Sequence, residues 1–194
     1  MQNFCLFLFH CKIKSVTIVA DFTMYLEPGN ELKKVSFAHL GFELSIVKWS
    51  EVSAGWSHVV ISGKSNVYNE SRLVYAAWGR NDLGQLSCCN RDHRSTSHIS
   101  LPQIVRHPIE DGIEKTLKQI ICGSEYTLAL SSDDRCLYAC GWNEHGNLGT
   151  GDITNGSEGW RKVLVEMEKS YQSQVHLKFL AAGGAHCIVS LTDI

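Results

Sequence analysis

The chain of 194 residues is 44% hydrophobic and 20% charged, with three prolines, which is the composition of a folded protein and excludes a disordered one. A net charge of -2 and a pI of about 6.5 exclude a global basic field that would hold nucleic acid through its phosphates. No segment approaches the roughly 18 consecutive apolar residues of a membrane-spanning helix.

In chain order, residues 1–14 open with an apolar run from Phe4 to Phe9. No positive charge precedes it and no small-x-small site follows, so it does not read as a signal peptide. Residues 15–46 hold strand-like runs at 21–26 and 40–44. From residue 47 a phrase sets in at 52–60 and returns at 120–130 and 180–191. It consists of an apolar strand, a glycine (Gly55, Gly123, Gly183), two small or polar residues, a ring (His58, Tyr126, His186) and a second apolar strand. A second phrase, Gly-x-Asn-x-x-Gly-x-Leu, follows a further strand in two copies 62 residues apart. Its members are Gly79, Asn81, Gly84 and Leu86, then Gly141, Asn143, Gly146 and Leu148. A period near 60 residues in a β-rich chain predicts propeller blades rather than a helical solenoid. The second phrase predicts a tight turn between strands with its leucine folded beneath as an apolar plug. Gly55, Gly123 and Gly183 are expected to interrupt strands where backbones approach closely or bulge.

The order and spacing of the two phrases resemble the repeat of the RCC1 family, over residues 47–86 and 117–152 and, for the opening half of a further unit, 177–191. The resemblance implies an all-β, RCC1-type β-propeller, here about three to four blades of a ring that usually has seven, hence a partial ring. It divides the chain into a non-propeller or mis-assigned start (1–14), a degenerate unit (15–46), a repeat with a long insert (47–116), a repeat with an insert (117–176) and a partial or ring-closing unit (177–194). The phrases at 41–44 and 141–147 are similar to the branch that contains the fungal alpha-tubulin-suppressor protein. That likeness implies a non-enzymatic scaffold for a small CSL-type zinc protein in Elongator-dependent wobble uridine modification of tRNA and in diphthamide synthesis. The alternative implied by the family is a guanine-nucleotide exchange factor for a Ran-like small GTPase. Exchange needs an acidic or wedge-like insertion on one face, and none is evident in the inserts.

The residues themselves point away from catalysis. P-loop, G-x-S-x-G and H-E-x-x-H patterns are missing. His58 and His186 share a repeat position that Tyr126 also fills, so the ring there is structural. Asp133 and Asp134 read as turn formers. The eight cysteines contain no C-x-x-C pair and read as free thiols of a reducing compartment, with Cys88-Cys89 a vicinal pair in a polar loop. Cys136, Cys140 and His145 lack a fourth metal ligand at a believable spacing. The expectation is therefore a binding scaffold without metal or cofactor, cytoplasmic or nuclear, which meets protein directly but neither nucleic acid nor membrane. Candidate partner-binding residues are Arg80, Asp82, Glu144 and His145 in the turns, and Trp160 and Arg161 in the second insert. Two inserts, 87–116 (with Arg91, Arg94, His98 and His107) and 150–176, are the candidate recognition loops, because propeller specificity resides in loops between strands.

Overall fold

The computed structural model describes residues 4–7, 15–19, 22–26, 32–36, 47–65, 73–87, 97–156, 159–165 and 175–193. Every regular element among them is a strand. The first sheet joins β1 (Phe4–Phe7), β2 (Ser15–Val19), β3 (Phe22–Leu26) and β4 (Leu32–Ser36), antiparallel and in chain order. Phe4 to Phe7 pair with Ile18 to Ser15: a short apolar run satisfies its backbone by pairing with another. The 40–44 run, Cys88-Cys89, Arg91 and Arg94 lie outside the described residues.

The second sheet runs β5 (Val47–Ala54), β6 (His58–Ser65), β7 (Leu73–Arg80), β8 (His98–Ile104). A short ribbon of β9 (Ile109–Glu110) and β10 (Ile113–Glu114) follows. The third sheet repeats the order with β11 (Leu117–Cys122), β12 (Tyr126–Ser131), β13 (Leu137–Gly141) and β14 (Arg161–Lys162). β15 (Val175–Ala182) and β16 (Cys187–Asp193) form the last sheet. The first strand of each of these three sheets is bulged, between Trp49 and Glu51, Leu117 and Gln119, and Leu177 and Phe179. A bulge sharpens local twist, and its recurrence at one place repeats the same bend in each sheet.

The sheets stack face to face: β11 lies against β5, β6 and β7, and β15 lies against β11 and β12. Two apolar cores fill the gaps. Because side chains alternate across a strand, the third sheet serves both. Ala129 and Tyr138 join Val59, Ile61, Tyr75, Ala77 and Trp78 on one side. Tyr126, Leu128, Leu130, Leu137 and Ala139 join Leu148, Leu177 and Leu180 on the other. All six residues of β12 are buried, which is why its sequence is apolar nearly throughout rather than alternating.

A candidate binding face at the glycine corners

β5, β11 and β15 all run toward one side of the stack, where each turns back in a corner of three or four residues. There Gly55 N–H donates to His58 O at 2.8 Å, Gly123 to Tyr126 at 2.7 Å and Gly183 to His186 at 3.0 Å. The glycines thus sit in the hairpin corners and do not interrupt strands. The ring three residues on folds over each: a Cβ on Gly55 would strike the His58 imidazole, and one on Gly123 the Tyr126 phenol. The ring and the bare glycine form one unit, which accounts for their fixed spacing.

β7 and β13 run toward the same side and bring the second phrase beside the corners. It folds as two consecutive turns rather than one tight turn. Gly84 N–H donates to Asn81 O at 3.1 Å and Ser87 N–H to Gly84 O at 3.3 Å, and in the second copy Gly146 donates to Asn143 at 2.9 Å and Gly149 to Gly146 at 3.0 Å. The asparagine side chain ties the knot: Leu86 N–H donates to Asn81 Oδ1 at 3.1 Å, and Leu148 N–H to Asn143 Oδ1 at 2.9 Å. This pulls Leu86 and Leu148 under the loop, 1% and 0% exposed. Gly79 and Gly141 precede the knots with φ of 110° and 107°, a backbone that L side chains avoid. A Cβ there would also strike Ser57 O or Glu125 O.

The corners are linked from sheet to sheet. Trp56 N–H donates to Ser124 O at 2.6 Å, and Ser124 N–H donates to Gly183 O at 3.0 Å. Rings reinforce the links: His58 Nε2 lies 2.9 Å from Thr127 Oγ1, and Tyr126 donates its hydroxyl proton to His186 O at 2.6 Å. The Thr127 proton goes to Gln85 O at 2.6 Å, so Thr127 accepts from His58, whose proton must then sit on Nε2. The fully buried imidazole is neutral, its pKa driven from 6.5 down to about 4 by desolvation and only partly restored by the Tyr126 backbone.

Around the first junction the candidate residues Arg80 and Asp82 meet. Arg80 donates from Nε and Nη2 to both Asp82 oxygens, each at 2.6 Å, and from Nη1 to Glu125 Oε1 at 3.3 Å. Glu125 also accepts from Ser57 Oγ at 2.6 Å and from Gln85 Nε2 at 3.0 Å. The hydrogen bond from Arg80 holds the Asp82 carboxyl below its usual range. At the second junction Trp142 occupies the place of Arg80, with its ring set edge-on to His145 at 4.9 Å between centroids. Glu144 and His145 are exposed beside it.

The other candidates lie elsewhere. Arg161 pairs with Asp152 at 2.5 Å and donates to Thr154 O at 2.7 Å, closing the loop that also holds Asn143. Trp160 packs against the first core and donates its indole N–H to Arg106 O at 2.7 Å. β8 runs away from the corners, so the ribbon β9–β10 projects on the opposite face. Asp111 and Gly112 form its tip with positive φ of 51° and 76°, Ile109 and Ile113 are 72% and 62% exposed, and Lys162 and Lys115 grip Glu110 at 3.0 and 3.9 Å. The ribbon thus carries Glu110, Asp111 and Glu114 together with the two exposed isoleucines. The signal for it was Asp-Gly flanked on each side by an Ile-Glu pair, a hairpin signature.

Comparison with known proteins agrees with this geometry. Residues 74–130 match the family description "Regulator of chromosome condensation (RCC1) repeat", and the sheets described above are blades of an RCC1-type β-propeller. The match begins within β7 of one blade and ends within β12 of the next, so the sequence repeat straddles a blade junction. The chain is 27% identical over 139 residues to the ultraviolet-B receptor UVR8 of Arabidopsis thaliana, covering 71% of this chain and 26% of the receptor. It is 33% identical over 117 residues to the secretion-regulating guanine nucleotide exchange factor of Mus musculus, covering 56% of this chain and 23% of that protein. The chain thus spans about a quarter of the length of these curated relatives. Human WBSCR16 superposes with a TM-score of 0.60 at 17% identity, over 94% of this chain and 48% of that one. Prp20p of Saccharomyces cerevisiae, studied for its binding to Gsp1p and histones, does so with a TM-score of 0.59 at 14% identity, over 94% and 44%. These two likenesses carry the fold alone.

Proposed function

We propose that the chain is part of a non-enzymatic propeller scaffold that binds a protein partner, and that this partner is a small GTPase whose guanine nucleotide it helps to release. The observation that carries this reading is the acidic ribbon Ile109–Glu114, with two exposed isoleucines on a tip fixed by Asp111 and Gly112 and a base held by lysines. Such an element can press an apolar side chain and negative charge into a nucleotide site, displacing phosphate and magnesium by like-charge repulsion. The exchange-factor name of the mouse relative supports the same partner class. The test is affinity purification of the tagged protein in its natural length without nucleotide, followed by elution with GTP. A GTPase released by GTP, and GDP release slowed by Ile109→Ser with Ile113→Ser, is the expected result. Recovery of a small CSL-type zinc protein without a GTPase would overturn it and move the function to wobble uridine modification and diphthamide synthesis.

A further inference from the structure

Where the ribbon β9–β10 meets the third sheet, four polar side chains converge. Cys136 and Tyr138 are two residues apart and both pack on the first core, as alternation along a strand requires. Lys162 is the register partner of Tyr138 across β13 and β14. Its ammonium lies 3.0 Å from Glu110 of the ribbon, which Lys115 also meets at 3.9 Å. Cys136 and Glu110 are both within side-chain reach of the Tyr138 hydroxyl and of the Lys162 ammonium. Two ammonium groups against one carboxylate leave the cluster with a net positive charge. It also holds a donor with nothing to bond: Tyr138 is only 2% exposed, and its Oη is buried without a hydrogen-bond partner among the described residues. Burial keeps this phenol protonated, so what it lacks is an acceptor. A thiol sulfur is a weak one.

From this we infer that Cys136 is a modification site, oxidised by hydrogen peroxide to a sulfenic acid whose oxygen accepts from Tyr138 and Lys162. The thiolate sulfur attacks one peroxide oxygen as the O–O bond breaks. The other oxygen leaves as hydroxide and takes the proton given up by the thiol, forming water; sulfur loses two electrons and peroxide gains them. An ammonium beside an accessible thiol favours this attack. Cys136 is half-buried, whereas Cys122 and Cys140 are buried. Burial pushes the Cys122 thiol up to about 12 and raises that of Cys187 as well, which disfavours their thiolates. Cys140, four residues on, is about 13 Å away along the strand and beyond the span of a disulfide, so it does not consume the sulfenic acid. The site does not rest on the exchange reading, although the lysine that it engages also holds the ribbon.

The experiment is brief exposure of the full chain to hydrogen peroxide with dimedone present, followed by mass spectrometry of the adduct at each cysteine. An adduct on Cys136 roughly tenfold above those on Cys122, Cys140 and Cys187 is expected, with the excess lost when the chain is unfolded in urea. Lys162→Met should slow labelling of Cys136 severalfold and Lys162→Arg should restore it; both replace an exposed side chain. Tyr138→Phe should leave the rate of oxidation unchanged and shorten the life of the sulfenic acid, read by adding dimedone at intervals after the peroxide is removed. Labelling of Cys136 no faster than that of the other three, an excess that survives in urea, a rate indifferent to Lys162→Met, or a lifetime indifferent to Tyr138→Phe would overturn the inference. None of these outcomes depends on GDP release, so this site and the exchange reading fail separately.

Discussion

The first and second blade junctions are built on the same backbone and closed by different chemistry. Both place a positive-φ glycine against a corner carbonyl, an asparagine knot over a buried leucine, and a ring over a bare glycine. At the first junction the closure is polar, through Arg80, Asp82, Gln85, Glu125 and His58 with Thr127, and among the described residues His58 Nδ1 is left buried without a hydrogen-bond partner. At the second it is aromatic, through Tyr126 to His186 O and Trp142 on His145, and Asn147 Oδ1 is likewise buried without a partner among the described residues. The lesson is that the glycines and asparagines specify the blade, while the residues between them decide whether a junction is closed by ion pairs or by rings.

Breaking the shared frame should cost most, and should cost the same at both junctions. Gly79→Ala and Gly141→Ala each place a Cβ at positive φ against a backbone oxygen, and each is expected to destabilise by about 3 kcal/mol or more in urea unfolding. Unequal losses would mean that the two knots are not equivalent. Leu86→Ala and Leu148→Ala empty a buried plug and should each cost about 3 kcal/mol.

The junctions should part company in their response to pH. The folded pKa of His58 lies near 4, below its ordinary 6.5, so the unfolded chain binds the extra proton between these values. Stability from this site is then full above pH 6.5 and is lost as pH falls toward 4, on the order of 3 kcal/mol in all. His58→Gln, which keeps an N–H for Thr127, should flatten that part of the urea midpoint against pH; an unchanged slope would place the titrating group elsewhere. Tyr126 gives the second junction no such slope, because burial pushes its phenol up to about 12.

The smallest effect concerns the exposed pair. Arg80→Ala should cost about 1 kcal/mol or less, since the guanidinium is 39% exposed on its side chain. Trp142→Arg sharpens the contrast between junctions: a cis arginine should pair with Glu144 and leave stability within about 1 kcal/mol.

Much of this architecture was legible in the chain before any coordinates. Gly55, Gly123 and Gly183 with their rings, and Gly79 and Gly141 with their asparagines, recur at fixed spacing because each requires a particular backbone. Local demands of that kind leave local marks. The phrase reads as a single turn because hydrogen bonds donated to Asn81 and Asn143 by the backbone N–H five positions on cannot be distinguished from ordinary turn chemistry in the sequence. The ribbon was passed over because two-residue strands carry almost no periodic signal, although Asp111-Gly112 marked its tip. Trp160, beside two cations, reads from the sequence either as an interface anchor or as the cover of its own blade edge, and its ring packs on the first core with its N–H on Arg106 O.

The sequence by itself determined the β class, the period and the positions where only glycine fits, because these depend on φ, ψ and side-chain alternation along one strand. Tertiary structure alone decided which residues meet across a junction. Ser57 with Glu125, His58 with Thr127 and Tyr126 with His186 O are separated by 60 residues or more. Contacts at that separation are set by how two sheets stack, a relation that no local run of residues encodes.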